Sequence, residues 1–278
     1  MKHIFLNLKR FDVPVQMGGV NRYEPVRAWG RWVVECTQEA LAQYKNEAVE
    51  FMMFFPEAHL IPALDALRPG SNLQIGCEGV FRQDTAPGGN FGAFTTNRTA
   101  HAVQALGCTG ALIGHCEERK DKLEIMQAAN AACPSAVNEL LNQEVKAALQ
   151  AGLSVLYCIG ENAEEQPHWQ EVLQTQIEEG LAGVDKSRVT IAYEPVWAIG
   201  PGKTPPDRAA IEQTAAFIKQ VTGGMDVVYG GGLKADNAGM LASIPQIDGG
   251  LIALTRFSGE IGFYPEEYLE IIRLYLGR

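Results

Sequence analysis

Glu194, His115 and Lys9 lie in three distant stretches, and each has the residue type and setting to act on a small carbonyl compound. In IAYEPVWAIGPGKTPPD, residues 191–207, a short apolar run ends at Glu194 and Pro195 stops it. The run reads as a buried strand whose C-terminal end, where α/β proteins bind ligands, presents the carboxylate. In IGHCEERK, residues 113–120, His115 closes a second apolar run. Opposite a candidate base, an imidazole kept neutral by a nearby helix N-terminus could polarise a carbonyl. In NLKRF, residues 7–11, Asn7 and Lys9 stand two apart, which on a strand sends both to one face, here inward. A lysine so placed is costly unless an anion meets it.

Carboxylate, neutral imidazole and ammonium together suit proton transfer at a carbon next to a carbonyl. Glu194 would abstract the proton, His115 would pass protons between the two oxygens, and Lys9 would stabilise the enediolate. This chemistry calls for neither a cofactor nor a metal ion. Taken singly the signals are weak, since a strand-end glutamate can simply be solvated and a lone histidine is more often structural.

The elements that must hold these groups recur along the chain. Short apolar runs at 3–8, 48–54, 73–77, 110–113, 154–158, 189–193, 226–229 and 249–253 read as eight strands. Helical patterns near 25–45, 59–67, 97–106, 135–151, 165–182, 207–221, 236–243 and 265–277 separate or follow them. Alternating βα units imply a parallel sheet, and eight of them imply an α/β fold, a closed (β/α)8 barrel forming one domain over 1–278. The loop at 198–202 is small and Gly-rich between stiff, Pro-bearing ends, as a hinged lid would be. YGGGLKADN, residues 229–237, puts three glycines between a strand and a short helix, where outward-facing amides can hold phosphate. Gly200, Gly231, Gly232 and the amides of Leu254 and Thr255 are the expected grip on a phosphate group. Polar loops at 12–24 and 82–90 follow strands one and three, so they belong on the same face.

Composition narrows the partners. A formal net charge of −10 sets the overall field against nucleic acid and anionic membranes. No apolar run approaches the roughly 20 residues of a membrane helix, and MKHIFLNLKRF enters a strand pattern without an export signal. A cytoplasmic protein is expected. Its six cysteines are scattered, without the close pairs of a zinc or redox motif, and most are expected to be buried and reduced.

The stretch around Glu194, together with IGHCEERK, NLKRF and YGGGLKADN, resembles the triosephosphate isomerase family. The similarity runs patchily over most of the chain. The resemblance implies the (β/α)8 barrel known as the TIM barrel and roles already described for that family: Glu194 as base, neutral His115 as electrophile and a closing loop after Glu194. GAFTTN, residues 92–97, is similar to the family's third loop, which reaches into a partner subunit, and so implies a homodimer. CIGEN, residues 158–162, is similar to the fifth-strand signature, with Glu161 expected to cap and Cys158 to pack behind the base.

Departures from the family pattern are specific. Leu8 replaces a tryptophan, Cys116 and Gly232 replace serines, and Glu118 replaces an arginine. Cys77-Glu78 replaces an amide-bearing pair, and ALTRFSGEIGF, residues 253–263, replaces paired glycines after the last strand. The implied substrate is a small phosphorylated sugar, either dihydroxyacetone phosphate and glyceraldehyde 3-phosphate or a four-carbon ketose phosphate such as an erythrulose phosphate. Two further readings are a sugar-phosphate-binding protein without turnover and a metal-dependent aldolase, the latter lacking clustered histidines.

Overall fold

Eight strands, β1 (Lys2–Asn7), β2 (Val49–Phe55), β3 (Leu73–Cys77), β4 (Gly110–Ile113), β5 (Ser154–Ile159), β6 (Val189–Tyr193), β7 (Val227–Tyr229) and β8 (Gly249–Ile252), pair in chain order. All pairings are parallel, and β8 returns to β1 with Phe5 opposite Leu251, so the sheet closes into a barrel. The computed structural model of the protein describes residues 1–200 and 202–277. Pro201, in the middle of the expected lid, lies outside the described residues.

Strand alternation divides the core in two. In β1, Ile4 and Leu6 face outward into the layer between barrel and helices, which also holds Trp29, Val33 and Phe55. His3, Phe5 and Asn7 take the opposite face, and Phe5 joins Met52, Phe54, Leu156, Ala192 and Leu251 inside the barrel. A single strand thus carries His3 at one end of the barrel and Asn7 at the other.

The helices are α1 (Trp29–Leu41), α2 (Glu57–Ala66), α3 (Ala100–Leu106), α4 (Cys116–Ala128), α5 (Pro134–Gln150), α6 (Trp169–Gly180), α7 (Arg208–Thr222), α8 (Ala238–Ala242) and α9 (Pro265–Tyr275). Each long one except α4 turns an apolar stripe to the sheet, as Leu141, Val145 and Ala148 do in α5. The expected pattern has one helix between β4 and β5 where the structure has two. In α4, CEERKDKLEIMQA, no residue is buried, so there is no apolar periodicity to read. Among the cysteines, Cys77, Cys108 and Cys158 are buried, while Cys36 and Cys133 are exposed and Cys116 is intermediate, which corrects the expectation that most are buried. All six are free thiols. No described helix is long and apolar enough to cross a membrane.

Candidate active site

Glu194 follows β6 directly and is only 2% exposed. Its Oε2 accepts the Cys116 backbone N–H at 2.9 Å, and its Oε1 lies 3.2 Å from His115 Nε2. Burial pushes the carboxyl up to about 7 from its ordinary 4.5, against the pull of the Cys116 amide and the Lys9 ammonium. Gly230, at the end of β7, makes room for it. A Cβ there would sit 2.9 Å from Glu194 Cγ and 2.8 Å from Tyr193 O, too close for any side chain.

His115 is the N-cap of α4, and its Nδ1 accepts the Glu117 N–H at 3.3 Å. An amide can only donate, so Nδ1 keeps its lone pair and Nε2 carries the ring proton toward Glu194. Burial, then the nearby Lys9 charge, drops the imidazole to about 4, so it is neutral at physiological pH. Two residues of α4 clamp the preceding turn. Glu118 Oε2 accepts the Gly114 N–H at 2.7 Å, and Arg119 Nε donates to Gly114 O at 2.9 Å. Glu118, which replaces the family's arginine, bonds Lys122 at 2.8 Å, and Lys122 also reaches Glu144 at 3.1 Å. Burial first, then the Glu118 charge, raises Glu144, while Glu118, despite its own burial, is held low by Glu144 and Lys122.

Lys9 reaches the site by a route different from the one expected. β1 ends at Asn7, so strand alternation does not govern Lys9. A turn does: Lys9 has φ of 46° and its N–H donates to Asn7 Oδ1 at 3.2 Å. A lysine in the left-handed region costs on the order of 1 kcal/mol, a strain that clusters at functional sites.

Asn7, Lys9, His115, Glu194, Gly200, Gly231, Gly232 and Leu254 all line one cavity of about 580 Å³. The N–H groups of Gly231, Gly232 and Leu254 have no partner among the described residues. Thr255 is a correction: it does not line this cavity, and its N–H donates to Gly262 O at 3.1 Å. The segment after β8 folds back on itself, with an isolated antiparallel bridge between Arg256 and Gly262, and consumes that amide. Arg256 likewise points away, to Glu267 at 2.7 Å.

Lys203 and Lys234 line the same cavity and were not foreseen, although both adjoin the Gly-rich stretches. With Lys9 they give three ammonium groups against one carboxylate, Glu194, among the described lining residues. A positive pocket in a chain of net charge −10 is a local inversion of the field. Glu161 does not cap a helix as expected. Its Oε1 accepts Tyr193 OH at 3.0 Å, Trp197 Nε1 at 2.8 Å and Gln166 Nε2 at 3.0 Å, tying β6 to the start of the loop after Glu194.

The sequence model of the triosephosphate isomerase family matches residues 27–273. The chain belongs to that family. A triosephosphate isomerase of Prosthecochloris aestuarii is 32% identical over 234 residues, covering 78% of this chain and 83% of the relative. One from Geobacter metallireducens is 40% identical over 175 residues, 58% of this chain; the match spans 64% of that relative, just under two thirds of its length. The crystal structure of triosephosphate isomerase from Bartonella henselae superposes with a TM-score of 0.70 at 25% identity, covering 99% of both chains.

The donor atoms of His115, Cys116 and Glu194 lie within 4.8 Å of one another, close enough to be ligands of one metal ion. The surroundings oppose it. The N-terminus of α4 and Lys9 both present positive charge to the same space.

Proposed function

We propose that the chain interconverts a short ketose phosphate and its aldose isomer by proton transfer through an enediolate. One observation carries the reading: a buried carboxylate, an imidazole with its proton on Nε2 and an ammonium line a single cavity beside amides that lack partners. Glu194 takes the proton from carbon, after its Oε2 releases the Cys116 N–H. His115 Nε2–H donates to the substrate oxygens in turn, and Lys9 offsets the charge that develops on them. The phosphate is held by the N–H groups of Gly231, Gly232 and Leu254, with Gly200 contributing from the loop that closes over it. Closure keeps water off the enediolate.

Dihydroxyacetone phosphate and glyceraldehyde 3-phosphate are the first substrates to test. A four-carbon ketose phosphate is the second reading, and Glu78 favours it. This residue, after β3, lines a neighbouring cavity that shares Asn7, Lys9, Phe11 and His115 with the first. Its Oε1 is buried without a partner among the described residues, and burial raises its carboxyl to about 7. An extra substrate hydroxyl would meet it. The chain is also proposed to act as a homodimer in the cytoplasm, with Phe91, 94% exposed on the long loop after β3, reaching a second copy.

The deciding experiment compares turnover of dihydroxyacetone phosphate and an erythrulose phosphate, with proton exchange from labelled water measured at the reacting carbon. Exchange with either substrate supports the enediolate route. Tight binding of both without exchange would replace it with a binding protein.

A further inference from the structure

Gly232 and Lys234 depart from a simple backbone grip on phosphate in a coordinated way. Gly232 has φ of 98°, a conformation that L side chains rarely adopt, so a serine there would be strained. The space above it is already used: a Cβ on Gly232 would lie 3.4 Å from Lys234 Cε. The Lys234 side chain therefore runs back across the glycine. Its Nζ stands 4.1 Å from the centre of the Phe257 ring, and no carboxylate pairs with it among the described residues.

The turn that places it is fixed at both ends. The Lys234 N–H donates to Asn237 Oδ1 at 2.8 Å, and Asn237 Nδ2 donates to Gly232 O at 2.9 Å. Phe257 comes from the segment after β8, the same segment that withdraws the Thr255 amide by bonding it to Gly262 O. One rearrangement thus removes a neutral donor and supplies an aromatic face that holds a cation over the two glycines.

We infer that Lys234, steadied by Phe257, binds the substrate phosphate in place of the serine hydroxyl missing at Gly232 and the amide withdrawn at Thr255. The inference rests on the sugar-phosphate reading of this cavity and adds to it a specific cation. An ammonium held against a ring has lost part of its rotamer freedom before the ligand arrives, so less is lost on binding. A charged contact to a dianion is also stronger than a neutral amide contact and falls off with salt.

The test uses the full chain, with dihydroxyacetone phosphate as substrate and inorganic phosphate as competitor. Lys234→Met keeps the apolar stem and removes the charge. It should raise the inhibition constant of phosphate roughly 10- to 100-fold, the span expected for a hydrogen bond to a charged group. The preference for dihydroxyacetone phosphate over unphosphorylated dihydroxyacetone should fall by the same factor. Lys234→Arg should keep most of the preference, and Phe257→Leu should weaken phosphate about 2- to 5-fold. If Lys234→Met isomerises and binds phosphate as the wild type does, the assignment falls while the isomerase reading stands. If wild type binds phosphate through Lys234 and turns nothing over, the isomerase reading falls and the assignment stands. A wild-type protein indifferent to phosphate overturns both.

Discussion

Both ends of the barrel hold a histidine against carboxylates, yet the two pairs are electrostatic opposites. At the end where the strands begin, His3 Nδ1 lies 2.7 Å from Glu50 Oε2 and Nε2 lies 2.8 Å from Asp226 Oδ2. Burial would lower its pKa, but the two carboxylate hydrogen bonds and charges outweigh that and raise it. At the other end His115 is lowered to about 4. The difference is what surrounds each ring: two carboxylates outweigh burial at His3, whereas burial and then the Lys9 ammonium both lower His115. Both nitrogens of His3 face acceptors and favour a proton, whereas Nδ1 of His115 faces the Glu117 N–H and cannot take one. A cavity of about 390 Å³ lies beside His3 too, so neither a pocket nor a histidine–carboxylate contact marks the site. The α4 N-terminus does.

Breaking the acidic partner at each end gives the largest contrast. Glu194→Gln should lower turnover by roughly 10²- to 10⁴-fold with the circular dichroism spectrum intact. Glu50→Gln should leave turnover close to wild type. Equal losses from the two would show that the ends are not functionally distinct.

The pH profile sharpens the same contrast. A base must be deprotonated to act, so kcat/KM should fall as pH drops through about 7, the Glu194 value. His115, at about 4, should add no limb between pH 5 and 9. Nitrogen NMR should show His115 as the neutral Nε2–H form at pH 7 and a His3 midpoint above 6.5. An imidazolium at His115 would remove the proposed proton shuttle.

Stability effects are smaller. The raised pKa of His3 means that its contribution is complete below 6.5 and disappears as pH rises through the folded value; the lowered Asp226 contributes above 3.8 and loses its share as pH falls. His3→Gln should therefore cost more at pH 6 than at pH 9, about 1–3 kcal/mol at the lower pH by calorimetry. Glu194 shifts stability in the same direction as His3, but as a cost: its carboxyl is raised by burial, so folding loses stability as pH climbs from 4.5 to about 7. Glu194→Gln should raise Tm at pH 8 by roughly 2–4 °C, the scale of 1 kcal/mol for a chain of this size. An inactive variant that is also more stable would be the signature of a strained functional group.

Much of this molecule is written locally. Apolar runs bounded by glycine, proline or polar residues are enough to locate the eight strands; 73–77, 110–113 and 189–193 coincide with β3, β4 and β6, and the others shift by a residue at one or both ends. The same apolar runs put Glu194 and His115 at strand ends, because chain punctuation acts over a few residues. α4 has no such signal, since a helix with no buried residue has no apolar stripe to betray it.

Local patterning by itself determined a closed α/β barrel with a carboxylate and an imidazole at its mouth. Only the tertiary structure decided the rest: the turn at Lys9, the pairing of His3 with Glu50 and Asp226, the loss of the Thr255 amide to Gly262, and the placement of Lys234 over Phe257. Most of these depend on which distant residue happens to face a donor or acceptor. Hydrogen-bond and cation partners far apart in sequence leave no periodicity behind, and they become readable only when the barrel closes and brings its ends together.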